Sequence, residues 1–324
     1  MLGAGAIGAY VGACLNRGGA DVTLIARGEH LRAMVERGVR VHSSRGNFEV
    51  RPAATSEIEA ITDADAVVLG LKAYSLPLLA PRIGELLRPG AVVIAAQNGI
   101  PWWYFQGLSG ALAGRVIESV DPGGVVSLSI VGERVVGCVV YCSTEIVEPG
   151  VIRHIEGTRF SIGRPGGGPD DTCRAISEAF VAGGLKCPVD DDLRPQIWLK
   201  LVGNAAFNPI TTVTRATLGG LAASPHAVAL VQQVMQECAA VAAALGIELP
   251  VSLERRLEAG LAVGDHRTSM LQDWMAGKPL EIDCMTGAVA EIADMTGVPV
   301  PTVRALHELT KSVEELRDAS ARRA

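Results

Sequence analysis

The stretch GAGAIG, which begins at Gly3, constrains the fold of this chain more than any other part of its sequence. Gly3, Gly5 and Gly8 have the G-x-G-x-x-G spacing. In it the first glycine permits a tight turn, the second lets backbone approach a pyrophosphate, and the third lets a helix pack against a strand. A helix beginning at this turn presents free N–H groups to phosphates, including those of Ala6 and Ile7. A helical stretch and an apolar strand follow, so we expect a dinucleotide-binding βαβ unit.

The strand in front of this turn is short, because only Met1 and Leu2 precede the first glycine. A strand usually has about five or six residues, and the one before such a motif lies in the middle of the sheet. An annotated start that is too late, a clipped chain and a compromised sheet would each explain the difference. We favour a start upstream of Met1.

Short β-rich runs alternate with helical stretches in the first part of the chain. The apolar runs of strand length are 21–26, 65–72, 91–96 and 115–120, and the helical stretches between them include 8–18 and 76–87. Apolar runs of this kind suit a parallel sheet covered on both faces. The alternation therefore predicts an α/β fold, a Rossmann-type doubly wound domain. The β-branched segments of 123–162 predict antiparallel strands that extend the sheet.

A charged, proline-containing segment at 185–195 predicts the link between two domains. Beyond it the strand signal fades, and the remaining periodic stretches suit helices: 196–208, 226–245, 251–262, 284–295 and 302–318. We expect a Rossmann-like dinucleotide-binding domain over 1–190 and an all-α domain over 191–324.

Composition and charge exclude several classes of function. The chain is 48% hydrophobic and 20% charged, with a net charge of −6, and it contains no basic run that could follow a nucleic-acid backbone. No stretch is long and apolar enough to predict a membrane span. The seven cysteines are scattered and form no C-x-x-C pair, which favours free thiols over a metal site or a disulfide framework. We expect a soluble, cytoplasmic protein without nucleic-acid or membrane partners.

The residue after the second strand of such a unit selects the dinucleotide. An acidic side chain there would bind the ribose hydroxyls of NAD. Here the run DVTLIA is followed by Arg27, whose guanidinium can bind a 2′-phosphate through two hydrogen bonds. The sequence therefore predicts NADP(H), although an exposed loop arginine is the alternative.

The segment WLKLVGNAAFNP carries Lys200, Asn204 and Asn208 at every fourth position of an otherwise mostly apolar stretch. On a helix this spacing places the three side chains on one face. A merely solvated face would favour Glu, Lys and Arg over asparagine, which is a poor helix former. We therefore expect a functional stripe. Because Pro209 disfavours helical geometry at the residue before it, we expect Asn208 at a helix end.

From Gly3 to about Leu309, the chain resembles the ketopantoate reductases (2-dehydropantoate 2-reductases). The resemblance rests on motifs in the family's order: GAGAIG, ARGEHL, LKAYSL, QNGI, WLKLVGNAAFNPIT, TSMLQD and LEIDCMTG. It implies an NADPH-dependent oxidoreductase that reduces ketopantoate to pantoate, a step of pantothenate biosynthesis. The motifs are specific to the superfamily and less so to the substrate.

The resemblance also assigns roles to side chains. Lys200 matches the general acid that protonates the carbonyl oxygen as hydride arrives, and Asn204 and Asn208 match asparagines that bond the substrate's oxygens. Ser269 matches the serine that contacts the substrate carboxylate. Glu281 matches the acid that positions the substrate or couples to the lysine. From sequence alone, the less favoured alternatives are that Ser269 is a helix N-cap and Glu281 a surface charge.

Two further residues follow predicted strands at their carboxyl ends, where open α/β sheets bind ligands. Lys72 has a family counterpart between cofactor and substrate. Asn98, in QNGI, is expected to bond the nicotinamide ribose or to orient the carbonyl, with a plain turn as the alternative. We expect Lys72, Asn98 and Glu281 to contact the cofactor as well as the substrate.

The cluster PWWYF, residues 101–105, departs from the general family pattern. It could form a wall of the substrate pocket that favours a bulkier acid, or it could pack between the domains. The rival functions are a paralogous reductase of another 2-oxo or 3-oxo acid and a non-catalytic NADP-binding sensor. The latter would need neither Lys200 nor Glu281. A homodimer is possible by analogy.

Overall fold

In a computed structural model that describes residues 1–322, the chain divides into two compact units. Unit 1 contains residues 1–97, 102–116 and 123–193. Unit 2 contains residues 98–101, 117–122 and the described residues from Arg194 onward. Two short excursions of the first half of the sequence therefore belong to the second unit.

Unit 1 is an α/β unit built around a mixed sheet. Its strands are β1 (Thr23–Ile25), β2 (Val39–Ser43), β3 (Phe48–Val50), β4 (Ala53–Thr55), β5 (Ala66–Leu69), β6 (Val92–Ala95), β7 (Val135–Glu148) and β8 (Val151–Gly163). Its helices are α1 (Ala6–Arg17), α2 (Gly28–Arg37), α3 (Leu76–Leu86), α4 (Val125–Ser129) and α5 (Asp171–Ala182). The predicted Rossmann-type fold is confirmed.

The sheet has the order β3-β2-β8-β7-β6-β5, and β1 pairs with β4 beside it. Pairings β5–β6, β6–β7 and β2–β8 are parallel, whereas β7–β8 is a long antiparallel pair, as expected for 123–162. The segment also contains the short helix α4, which the sequence did not indicate. Buried residues of α1, among them Ala9, Ala13 and Cys14, belong to the core of this unit.

The predicted strand at 115–120 is wrong. The segment contains no strand: 115–117 is irregular, 118–120 is a turn, and residues from 117 onward belong to unit 2. The backbone N–H groups of Glu118 and Ser119 donate to the carboxylate of Glu291 at 2.7 and 2.9 Å, so these donors serve a side chain and not a neighbouring strand. An apolar run of strand length does not reveal such a partner, because Glu291 is distant in sequence.

Unit 2 is helical in its described part, as predicted for the second domain. Its helices are α6 (Arg194–Thr214), α7 (Leu218–Ala222), α8 (Pro225–Ala244), α9 (Leu253–Leu261), α10 (Ser269–Met275), α11 (Ala288–Thr296) and α12 (Pro301–Ala321). A π-helical segment, Asp283–Gly287, precedes α11. By length and composition alone α8 could cross a membrane, but core helices pass the same test, and α8 buries Val234, Cys238 and Val241.

The expected helix end at Asn208 is also wrong, because α6 continues through Pro209 to Thr214. Asn208 and Pro209 are both buried. A proline inside a helix removes one backbone hydrogen bond. Downstream hydroxyls add others, since Thr211 and Thr212 donate to the carbonyl of Asn208 at 2.9 and 2.8 Å. Asn208 is therefore helical, buried and bonded through its carbonyl to two hydroxyls, although a following proline by itself disfavours helical geometry.

A buried carboxylate joins two helices of unit 2. Glu237 of α8 accepts hydrogen bonds from the backbone N–H groups of Thr302 and Val303, in the first turn of α12, at 3.2 and 2.9 Å. A negative charge there also interacts favourably with the helix dipole. Burial raises the pKa of Glu237, but the hydrogen bonds from Thr302, Val303 and Gln233 outweigh burial, and the net pKa lies below the ordinary value for glutamate.

Glu237→Gln is expected to lower the free energy of unfolding at pH 7 by about 1.5–3 kcal/mol, the range for a hydrogen bond to a charged group. Because the pKa of the folded state lies below an unfolded value of about 4.3, this stabilisation is present above that pH and is lost as the pH falls through the folded-state pKa. Urea unfolding between pH 7 and pH 3 should show the gap to the wild type closing in acid. As a control, Glu248→Gln at an exposed position should change stability by less than about 0.5 kcal/mol. A gap that is constant with pH would contradict the role of the charge.

Candidate active site

The glycine-rich turn of unit 1 brings backbone segments into close contact. Gly3 has φ +93°, and a Cβ there would lie 2.8 Å from the carbonyl carbon of Gly70. A Cβ at Gly8 would overlap the carbonyl oxygen of Gly3. Gly5 differs, because a Cβ there would meet nothing within 4 Å. The first and third glycines are thus required by packing, while the second leaves its side open to a ligand.

Helix α1 begins at this turn with Gly5 as its N-cap, and no side chain caps the helix. The N–H groups at its start, those of Ala6 and Ile7, are the kind that bind phosphate. At the end of β6, both amide atoms of the Gln97 side chain are buried and have no hydrogen-bond partner among residues 1–322. The open side of Gly5, the uncapped helix and this buried amide fit a polar dinucleotide. Sequence reasoning placed Gln97 in the QNGI motif at this strand end but gave it no individual role.

The other predicted cofactor residues of unit 1 occupy strand ends. Arg27 is exposed and forms the N-cap of α2, two residues beyond the end of β1. The turn is bonded to that same strand end, since the N–H groups of Gly3 and Ala4 donate to the carbonyl of Ile25 at 3.1 and 2.9 Å. Lys72 follows β5 and begins a short 3₁₀ turn, as Ser75 N–H donates to its carbonyl at 3.0 Å.

In unit 2, α6 carries the whole predicted stripe. Lys200 and Asn204 are half-buried and Asn208 is buried, so the stripe runs from accessible to enclosed positions along the helix. The Nζ of Lys200 donates a hydrogen bond to Oδ1 of Asn98 at 2.7 Å. Asn208 donates from Nδ2 to the sulfur of Met285 at 3.8 Å, which is a weak bond. The structure thus joins two predicted site residues that are 102 positions apart in sequence.

The turn that holds Asn98 is locked against the π-helical segment. Gly99 has φ +83°, and a Cβ on it would overlap the carbonyl oxygen of Cys284. The same oxygen accepts a hydrogen bond from the N–H of Ile100 at 2.8 Å. Short π-helical segments of this kind, called π-bulges, are frequent at functional sites. Cys284 thereby positions Asn98, and nothing in the sequence pattern indicated that role.

Glu281 is not a surface charge and Ser269 is not a helix N-cap, which were the alternatives that the sequence left open. Glu281 has 7% of its surface exposed, so it is not a surface charge. Ser269 is not the N-cap of α10, since Thr268 caps that helix by accepting from Leu271 N–H at 3.4 Å. The hydroxyl of Thr268 also lies 2.6 Å from that of Thr211 on α6. Ser269 is exposed, which leaves its hydroxyl accessible to a ligand.

The PWWYF cluster is part of the core. Trp102, Trp103, Tyr104 and Phe105 each have 2% or less of their surface exposed. Within unit 1, the Trp103 ring packs so closely on Gly137 that a Cβ there would overlap it. A wall of a substrate pocket needs accessible ring atoms. The expectation that these aromatics select a bulkier acid therefore has no support in the structure.

Comparisons with known proteins point to one family. Residues 1–167 match the family model described as ketopantoate reductase PanE/ApbA, and residues 192–314 match the model of its C-terminal domain. A 2-dehydropantoate 2-reductase of Mesorhizobium japonicum is 41% identical over 312 residues, 96% of each chain. One of Halobacterium salinarum is 30% identical over 95% of this chain and 96% of its own. A solved structure from Ralstonia solanacearum, crystallised as a candidate ketopantoate reductase, has a TM-score of 0.91 and 35% identity over 98% of this chain and 97% of its own.

The substitution Gly99→Ala is expected to destabilise the protein more than Gly90→Ala. Both glycines have left-handed φ values, +83° and +81°, but Gly90 has open space where a Cβ would lie, whereas Gly99 faces the Cys284 carbonyl. Backbone strain costs about 1–2 kcal/mol in each variant. The steric overlap should add at least about 1 kcal/mol at Gly99 alone, within the range for overpacking. Equal free energies of unfolding in urea for the two variants would show that the contact with Cys284 does not constrain the turn.

Proposed function

We propose that this chain, which belongs to the ketopantoate reductase family, reduces 2-dehydropantoate to pantoate with NADPH. The observation that carries the proposal is the hydrogen bond from Lys200 to Asn98 at 2.7 Å. It holds a cationic proton donor in a fixed direction. Reducing a ketone requires a hydride, an oriented carbonyl and a proton for the developing alkoxide.

The residues of unit 1 supply the binding of the cofactor in this proposal. Gly3, Gly5 and Gly8 form the turn that receives the pyrophosphate, with the N–H groups of Ala6 and Ile7 at the start of α1. The bound nicotinamide supplies the hydride. The preference of the protein for NADPH over NADH is assigned to Arg27, because a guanidinium at the end of β1 can pair with a 2′-phosphate that NADH lacks.

The residues of unit 2 supply the proton and the contacts to substrate. Lys200 protonates the carbonyl oxygen as negative charge develops there, and the amide oxygen of Asn98 orients the ammonium beforehand. Asn204 and Asn208 bind the oxygens of the substrate, and Ser269 binds its carboxylate. Glu281 is buried in the same unit, where a carboxylate needs polar partners. We assign it a positioning role toward the substrate and the cofactor.

Lys72 is assigned a contact with both ligands, because it follows β5 at the carboxyl end of a parallel strand. A non-catalytic NADP sensor is less well supported, since binding alone needs no oriented lysine. The main argument for a reductase of a bulkier keto acid was that the PWWYF aromatics line the substrate pocket, and these aromatics are buried.

The direct test is to follow NADPH oxidation with ketopantoate as substrate. Turnover with ketopantoate well above that with pyruvate and with 2-oxoisovalerate would support the substrate assignment. NADPH binding without ketopantoate turnover would leave the cofactor assignment standing and overturn the substrate.

Lys200→Ala is expected to lower kcat by about 10²–10⁴-fold, the contribution of a general acid. The dissociation constant for NADPH should change little, because the proposed role is in proton transfer. Lys278→Ala serves as the control, since Lys278 is an exposed lysine of the same unit. Turnover by Lys200→Ala at the rate of that control would remove the mechanism.

Arg27→Ala is expected to weaken NADPH binding at least about 10-fold, the loss that corresponds to a charge-assisted hydrogen bond of about 1.4 kcal/mol or more. NADH has no 2′-phosphate, so its affinity should stay nearly constant. Titration of both cofactors against Arg27→Ala and against Arg45→Ala, an exposed arginine elsewhere in unit 1, would measure the difference. Equal losses for the two cofactors in the Arg27 variant would refute the assignment.

A further inference from the structure

Arg215 has a backbone conformation that is unusual for its residue type. It directly follows α6, and its φ of +61° lies in the left-handed region that favours glycine. Among residues 1–322 it is the one non-glycine residue with a positive φ. Helices often end in a left-handed residue, but glycine or asparagine usually occupies that position. An arginine there carries backbone strain that glycine would not, which points to a use for its side chain.

The guanidinium of Arg215 lies over the indole ring of Trp274, which is part of α10. Its central carbon is 3.2 Å from the ring centroid, the arrangement of a cation–π contact. Stacking uses the face of the guanidinium and leaves the N–H donors at its edge. Arg215 is exposed, and within residues 1–322 its side chain makes no hydrogen bond or ion pair. The ring thus holds a cation whose hydrogen-bond donors remain accessible.

The indole ring has a donor of its own that lacks an acceptor. The Nε1–H of Trp274 is buried and has no hydrogen-bond partner in the part of the chain that the structure describes. Buried N–H groups are nearly always paired in folded proteins, and each exception calls for an explanation. Because Arg215 is stacked on the same ring, the two sets of donors are close neighbours. One ligand with several acceptor oxygens would satisfy both.

A second guanidinium fixes the backbone on which this ring is carried. Nη1 of Arg317, in α12, donates to the carbonyls of Trp274 and Lys278 at 3.1 and 2.9 Å. The side chain of Arg317 is 12% exposed, and its Nη2 pairs with Asp318 at 2.7 Å. Burial, and after it the like charge of Arg317, lowers the pKa of Arg215 below the ordinary value for arginine. Two cations therefore lie together here, and Asp318 pairs with only one of them.

We propose that Arg215 and Trp274, supported by Arg317, form a site for the phosphate group of a small molecule. The edge of a guanidinium binds two oxygens of a phosphate at once, and the indole N–H donates to a third. The exposed side chain of Arg215 can shift to admit that oxygen. A phosphate suits the site better than a carboxylate, because its greater charge and its third oxygen match two cations and an unpaired donor.

All residues of this site belong to unit 2, whereas the glycine-rich turn and Arg27, which are assigned to the phosphates of the cofactor, belong to unit 1. The site is therefore distinct from the proposed cofactor site. It also takes no part in the proposed reduction, because neither Arg215 nor Trp274 is assigned a contact with the keto acid.

The test is a titration with inorganic phosphate, at constant ionic strength, followed by NMR of the tryptophan indole N–H groups. The chain has four tryptophans, and the other three are buried: Trp102, Trp103 and Trp198. The Trp274 signal is identified by its absence in Trp274→Phe. It is expected to move downfield and to saturate as its N–H gains an acceptor, while the other three signals stay in place.

Arg215→Gly is the decisive variant, because glycine takes the left-handed conformation without strain and the protein should still fold. Its affinity for phosphate should fall at least about 10-fold, the loss expected for a charge-assisted hydrogen bond. Arg215→Lys keeps the charge without the two-donor edge and should bind with intermediate affinity. Arg255→Gln, at an exposed position of α9 in the same unit, is the matched control and should bind like the wild type.

A Trp274 signal that does not saturate with phosphate would overturn the proposal. The same phosphate affinity in Arg215→Gly and in Arg255→Gln would overturn it as well. A parallel titration with malonate separates the two kinds of oxyanion, and equal or tighter binding of this dicarboxylate would overturn the assignment to phosphate. None of these measurements depends on turnover of ketopantoate, so a failure of the proposed function would leave the result unaffected.

Discussion

The fold of unit 1 depends on a contact between three glycines from two segments of the chain. Gly3, Gly8 and Gly70 approach each other through bare backbone. A Cβ at Gly70 would overlap the carbonyl oxygen of Gly3, and it would lie 3.3 Å from the Cα of Gly8. This contact sets the distance between the start of α1 and the end of β5. Gly5 lies on one side of this contact, as the N-cap of α1, and Lys72 lies on the other, after β5.

In unit 2, a series of contacts leads from the backbone of the turn that holds Asn98 to the side chain of Lys200. The carbonyl of Cys284 accepts from the N–H of Ile100 and leaves room only for glycine at position 99, so the turn packs closely on the π-helical segment in a conformation with φ +83° at Gly99. That conformation presents the Asn98 amide oxygen, which accepts from Lys200 at 2.7 Å. A hydrogen bond to an ammonium is stronger than one between neutral groups. The direction of the proposed proton donor is therefore set by residues that take no part in proton transfer.

The sequence predicted the parts of this protein that depend on local spacing. The glycine turn, the stripe on α6 and the two fold classes follow from periodicity and from residue type. Prediction from sequence failed where a residue distant in sequence determines the local structure. The segment 115–120 is apolar like a strand, but two of its backbone N–H groups donate to the carboxylate of Glu291. The role of Cys284 lies in its carbonyl, which every residue has. The buried ring of Trp103 packs on Gly137, a glycine in another segment. No local pattern records such pairings.

The course of α6 through Pro209 places Lys200, Asn204 and Asn208 on one continuous helix. If the helix ended at Asn208, as the proline suggested, that side chain would lie on a frayed turn. Because α6 continues for five residues beyond Pro209, Asn208 is held within a helix and is buried, while Lys200 at the other end of the stripe is half-buried. Burial removes the amide of Asn208 from water, whereas the amine of Lys200 keeps part of its contact with solvent. One helix therefore carries both the buried amide and the half-buried lysine of the proposed site, about two turns apart.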